Sequence, residues 1–221
     1  FITSTAMGIY ELELNGEKVG DAYFAPGFTS YKKNLQYQFY DVTGQLREDN
    51  TLIAIVAGGW AVGRFTYESK NKITTDRQAL MLELFVEYAD GSTDKIITDG
   101  TWDVTLQGNY LAADFYDGEV YDASIDRSAL LWKKADTIKL LFTPEITVSL
   151  GSPVTRQETL TPIRHFRNSD GEEVYDFGQN FAGAVALQIQ GVKGQTVTVR
   201  HAETLDGDKL YTASLRTAKA E

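Results

Sequence analysis

Ile9-Tyr10-Glu11-Leu12-Glu13-Leu14, then Asn15-Gly16, then, after Glu17, Lys18-Val19-Gly20-Asp21-Ala22-Tyr23-Phe24 is the stretch whose reading decides the fold. Apolar and polar residues alternate on both sides of a pair that tolerates φ > 0, which predicts two strands joined by a tight primed turn. The same period continues outward. Candidate strands fall at 8–14, 18–24, 35–41, 51–57, 79–88, 93–98, 102–106, 146–150, 158–164, 172–177, 184–190 and 195–201. Turn signals separate them at Ala89-Asp90-Gly91-Ser92, Asp99-Gly100, Ser169-Asp170-Gly171 and Lys193-Gly194. Helical periodicity is nearly absent; Thr43 to Glu48 is at most one turn, with Asp41 or Thr43 as its N-cap. Many short strands at this spacing predict an all-β protein built as two consecutive antiparallel β-sandwich domains. Composition shifts near Trp132-Lys133-Lys134-Ala135-Asp136, from an acidic, Tyr-rich stretch to Val/Thr-rich runs punctuated by Pro144, Pro153 and Pro162. This places the domains at 1–136 and 137–221.

Composition narrows the function classes. Lys+Arg 21 against Asp+Glu 31 gives a net charge of −10, the wrong sign for a phosphate-backbone partner, so no nucleic acid is expected. No run approaches the roughly 18 apolar residues of a membrane span, so no membrane partner is expected either. The absence of Cys removes disulfides, zinc-thiolate sites and cysteine nucleophiles together, but leaves the compartment open. Carbohydrate, being neutral or acidic, needs no basic face. The chain opens on Phe1 without an initiator Met and reads as a piece of a longer protein.

Four ordered blocks carry a family resemblance. The first runs from Gly8-Ile9-Tyr10-Glu11-Leu12 through Asn15-Gly16, Phe24-Ala25-Pro26-Gly27-Phe28-Thr29-Ser30-Tyr31, Tyr37 to Thr43 and Asp49-Asn50-Thr51-Leu52 to Gly58-Gly59-Trp60. The others are Asp117 to Ala123, Val174 to Gly183, and Arg200-His201-Ala202-Glu203-Thr204-Leu205. Together they resemble the N-terminal, sugar-binding-like domain of bacterial α-L-rhamnosidases and the accessory β-sandwich after it. The resemblance implies a jelly-roll-like first domain that handles L-rhamnose-containing carbohydrate. It also implies a separate (α/α)-barrel catalytic domain as the partner that cleaves the bond, with inversion. Nothing in this chain supplies the long paired helices of that barrel, so no catalytic residue is assigned and the chain alone is expected to be inactive. The alternative is a structural scaffold that packs against the barrel and binds no sugar.

Candidate site residues follow from side-chain chemistry. Asp49 and Asn50 put a carboxylate and an amide oxygen at one loop tip, hard donors suited to sugar hydroxyls or calcium, and some members of the resembling family hold calcium in such a module. Both residues are equally suited to bonding nearby backbone. Trp60 offers either a flat face to a sugar or a filler for the core. Arg64, Phe65 and Tyr67 lie in a long segment, Ala61 to Asp76, where recognition residues on a rigid sandwich concentrate. Asp114, Asp117, Glu119 and Asp122 form the densest acidic cluster. A glycosidase pair would have to face across a sugar at about 5 to 9.5 Å. Carboxylates this near in sequence are better read as loop-bracing groups or a calcium loop. His165 and His201 are the neutral-pH bases, and His201 is spaced to contact Glu203 along a strand.

Overall fold

The computed structural model describes residues 1–66, 68, 70–192 and 194–219. The described chain divides into two compact units, Phe1–Arg156 and a second beginning at Gln157. The division lies about twenty residues beyond the 136/137 boundary read from composition. A late strand of the first unit is the reason, as its pairing makes plain.

The first unit holds β1 (Ile2–Met7), β2 (Ile9–Leu14), β3 (Glu17–Lys18), β4 (Asn34–Tyr40), β5 (Leu52–Ala57), β6 (Ala79–Glu87), β7 (Thr93–Ile97), β8 (Asp103–Val104), β9 (Tyr110–Asp114), β10 (Gly118–Tyr121), β11 (Lys133–Lys134) and β12 (Glu145–Val148). One sheet runs β12-β4-β1-β6-β7 and another β3-β2-β5, with the hairpin β9–β10 and the pair β8–β11 beside them. Among the described residues every ladder is antiparallel except β12 on β4, which is parallel and aligns Glu145 with Asn34 and Val148 with Tyr37. This pairing binds residues past 136 into the first unit.

Alternation builds the core. On β2, Tyr10, Leu12 and Leu14 are buried while Ile9, Glu11 and Glu13 are only half-buried. The buried row packs with Ile2 and Ala6 of β1 and Leu82 and Leu84 of β6, so the two sheets face each other across one apolar layer. The Tyr10 hydroxyl, carried into this layer, lies 3.0 Å from the Ser4 carbonyl, 2.8 Å from Gln38 Oε1 and 3.1 Å from the Tyr40 hydroxyl. Burial pushes its ionisation far above the usual phenol range, with Tyr40 adding to the effect.

The expected hairpin is present. Leu14 faces Glu17 across a two-residue loop in which Asn15 has φ 56° and Gly16 φ 82°. Other elements differ from the pattern reading. Of the 18–24 run only Lys18 joins a ladder, as the end of β3, and Gly20 turns the chain at φ 71°. The central strand β1 was not among the candidates, since its buried Ser4 and Thr5 hide in a polar pattern. Thr5 Oγ1 donates to the Gln36 carbonyl at 2.5 Å and Ser4 Oγ to that of Met81 at 3.4 Å. The hairpin β9–β10 occupies what read as an acidic loop.

Among its described residues the second unit contains two small hairpins, β13 (Arg164–Arg167) with β14 (Glu173–Asp176) and β15 (Leu205–Asp206) with β16 (Lys209–Leu210). The runs 184–190 and 195–201 join no ladder among the described residues, and Val185, Leu187, Ile189 and Val197 stand exposed. Alternation alone does not make a strand; a partner must accept its backbone bonds. The His–Glu contact expected at His201 and Glu203 has a counterpart on the first hairpin. There His165 Nε2 lies 2.7 Å from Glu173 and the imidazole stacks on Tyr175 at 4.4 Å.

One local device recurs. At Asp41-Thr43, Asp90-Ser92, Asp99-Thr101, Asp122-Ser124 and Asp126-Ser128, one carboxylate oxygen accepts both the hydroxyl and the backbone N–H two residues on. The hydroxyl, and then the amide, holds each carboxyl below the usual aspartate range. A depressed folded value contributes stability above the unfolded aspartate pKa and loses it as pH falls through the folded one. The expected outcome is a urea midpoint that is level between about pH 7 and 5 and declines below about pH 4. Carboxyl-carbon NMR titrations of these five aspartates should give midpoints under the free-residue value; ordinary midpoints would refute the assignment.

Candidate functional site

Two glycines place Trp60. The chain leaves β5 at Gly58 and enters a single helical turn, α1 (Gly59–Val62), closed by Val62 N–H to Gly58 O and Gly63 N–H to Gly59 O, both 3.0 Å. Gly59 has φ +50°, and a Cβ there would sit 2.7 Å from Ile9 Cγ2 and 2.9 Å from Ile9 N. Only glycine lets α1 lie this close to the start of β2.

Trp60 is the hub of a ring cluster. Its centroid is 4.4 Å from Phe115, 6.1 Å from Phe28 and 6.3 Å from Phe24, and Phe28 in turn lies 5.4 Å from Phe65. These tilted and edge-on pairs are each worth about 0.5–1.5 kcal/mol beyond burial. Trp60 itself is half-buried and rests against Met7, Tyr31, Leu35, Ala61 and Val62, so it is part core, part surface. Phe28 is 59% exposed and Phe24 43%, so the cluster's outer rim is open. Phe24 also has φ 61°, a left-handed conformation uncommon for a bulky residue and of the kind that collects at functional sites.

Arg64 and the acidic hairpin form the polar edge. Asp114 accepts from the backbone N–H of Arg64 at 2.6 Å, of Tyr116 at 2.8 Å and of Asp117 at 3.2 Å. Partial burial raises its pKa, but the three amides and the Arg64 charge outweigh this and hold the carboxyl below the usual range. The Arg64 guanidinium bonds Asp117 through Nε at 3.1 Å and lies 5.0 Å from the centre of the Tyr116 ring. Asp122 is committed to Ser124. Asp114 and Asp122 thus act as loop braces rather than as an acid/base pair.

Asp49 and Asn50 lie elsewhere. They precede β5 whereas Trp60 follows it, so about 17 Å of strand separates the two groups of candidates. Asn50 Oδ1 accepts the Asn15 side-chain amide at 2.9 Å and the Arg47 backbone N–H at 2.8 Å, and its Nδ2 donates to the Arg47 carbonyl at 2.6 Å. With both lone pairs of that oxygen engaged, Asn50 is a poor calcium ligand. No group of three or more His, Cys, Asp or Glu is placed to hold a metal among the described residues. Tyr67 lies outside the described residues. Phe24, Phe28 and Phe115 escaped the sequence reading as site residues. Their signal was aromatic residues flanking the Pro26-Gly27 corner and an aromatic between two aspartates.

Comparison with known proteins fits this architecture. The model of the alpha-L-rhamnosidase N-terminal domain matches residues 1–166. The chain belongs to the α-L-rhamnosidase family. The model of the bacterial alpha-L-rhamnosidase concanavalin-like domain matches residues 166–221. An α-L-rhamnosidase of Streptomyces avermitilis is 38% identical over 231 residues, covering 98% of this chain and 22% of that protein. The structure of the Streptomyces avermitilis enzyme complexed with L-rhamnose superposes with a TM-score of 0.87 at 37% identity, over 99% of this chain and 22% of that one. The native enzyme of Aspergillus terreus gives 0.85 at 31% identity, over 99% and 26%. The chain therefore spans about a quarter of the length of its rhamnosidase relatives.

Asp114→Ala leaves three backbone donors without their acceptor and is expected to cost about 2 kcal/mol in urea unfolding. Gly63→Ala is expected to damage the same joint, since its Cβ would overlap Gly59 O and fall 2.9 Å from Asp114 Oδ2. Both should shift tryptophan emission; unchanged emission and stability would show that the two segments are not coupled.

Proposed function

We propose that this chain is a non-catalytic part of an α-L-rhamnosidase that positions L-rhamnose-containing carbohydrate for a catalytic domain. One observation carries the reading: the half-open ring cluster of Trp60, Phe24 and Phe28 with the Arg64–Asp117 pair at its edge. Apolar C–H faces of a deoxy sugar pack on such rings, while hydroxyls need a charged or polar rim. In the solved Streptomyces avermitilis relative, the enzyme is complexed with L-rhamnose. Bond cleavage is assigned to none of the residues here, because Asp114 and Asp122 are bonded into loop bracing. Calcium has no part in this reading, given the engaged Asn50 oxygen.

Titration of L-rhamnose into the chain should produce a saturable change in tryptophan emission at millimolar sugar, equal with calcium and with chelator. Trp60→Phe should abolish the change while leaving the ring packing. A flat response removes the proposal, and a calcium-dependent one returns Asp49 to the site.

A second reading, a scaffold that braces the catalytic domain, draws on exposed leucines. Leu106, Leu131, Leu141 and Leu150 are each more than three-quarters exposed, and were they contiguous they would form a face for another domain to cover. On that reading the chain self-associates in sedimentation and ignores L-rhamnose.

A further inference from the structure

Asn15-Gly16 has a chemistry that neither the family nor the ring cluster accounts for. An asparagine followed by glycine is the sequence most prone to spontaneous deamidation, because no side chain shields the attacking backbone nitrogen. Gly16 N attacks Asn15 Cγ and loses its proton, the bond from Cγ to the side-chain nitrogen breaks, and ammonia leaves. Water then opens the succinimide at one carbonyl or the other, giving aspartate or isoaspartate. Gly16 is exposed and a Cβ there would meet nothing within 4 Å, so access is no obstacle.

The obstacle is the carboxamide itself. Asn15 Nδ2 donates to the Gln45 carbonyl and to Asn50 Oδ1, both at 2.9 Å, and Asn15 Oδ1 accepts the Thr51 N–H at 2.9 Å. A fourth bond, Asn15 N–H to the Thr51 carbonyl at 2.8 Å, fixes the backbone of the same residue. To meet Gly16 N, the carboxamide must leave its three partners, two of them backbone groups. We propose that Asn15-Gly16 is a deamidation site held closed by the clamp from Asn50, Thr51 and Gln45, so that local opening of residues 45–51 sets the rate of modification. The product would also weaken the clamp. The carboxylate it creates would face two acceptors, Gln45 O and Asn50 Oδ1, where the Asn15 amide had supplied a donor. Isoaspartate would add a backbone carbon to a two-residue turn and spoil the Leu14–Glu17 register.

The test is peptide mass mapping of residue 15 after incubation at mildly alkaline pH, comparing the folded chain with the chain unfolded in urea. The folded chain should exchange NH2 for OH at least about tenfold more slowly, and Asn50→Ala should accelerate the folded rate about fivefold. Equal rates folded and unfolded, or a folded Asn50→Ala at the parent rate, would overturn the proposal. If Asn50→Ala does not fold, the parent in graded urea decides. The rate should climb before the global transition, and a rate flat up to that transition overturns the clamp.

Discussion

The inward row of β2 is the constraint on which the structure of the first unit rests. Tyr10, Leu12 and Leu14 can be buried together only if the strand keeps its period, and a slip of one residue would send Glu11 and Glu13 into the apolar layer. The register is therefore fixed at both ends. The Asn15-Gly16 turn and its carboxamide clamp hold one end, and the close approach of Gly59 to Ile9 holds the other. Each fixed end then positions something further, the 45–51 segment in one case and Trp60 in the other.

That arrangement explains why the polar candidates and the aromatic candidates cannot form one site. β5 runs antiparallel to β2 with Leu52 opposite Leu14 and Ala57 opposite Ile9, so residues before and after it emerge at opposite ends of the sheet. At the Asn50 end, amide groups are consumed in bracing backbone. At the Trp60 end, rings that exceed the space of the core spill onto the surface, and a carboxylate with three backbone donors ties the two contributing segments together. The amide brace and the aromatic cluster are thus kept apart by where the strand ends fall.

Acidic side chains serve the fold at short range. The repeated Asp-x-Ser/Thr turns spend carboxylates on local N–H and O–H donors, and Glu13 reaches Arg127, which also bonds Asn109 near the hairpin β9–β10. These bonds keep the turn aspartates ionised, so they remain part of the net charge of −10.

Local chemistry was legible in the sequence. The Asn15-Gly16 hairpin, the β2 alternation and the all-β class follow from φ preferences and a period of two, which need no knowledge of the rest of the chain. The ordered blocks from Gly8 to Leu205 carried the family. Tertiary structure alone decided the rest. Ser4 and Thr5 look solvent-facing until Met81 and Gln36 supply acceptors, and β12 belongs to the first unit only because β4 offers it an edge. Phe115, some ninety residues beyond Phe24 in sequence, meets Phe24 and Trp60 only when the strands bring their loops to one end. A side chain's own chemistry is written locally, but its partner is chosen by contacts between distant residues, and those exist only once the sheets have closed.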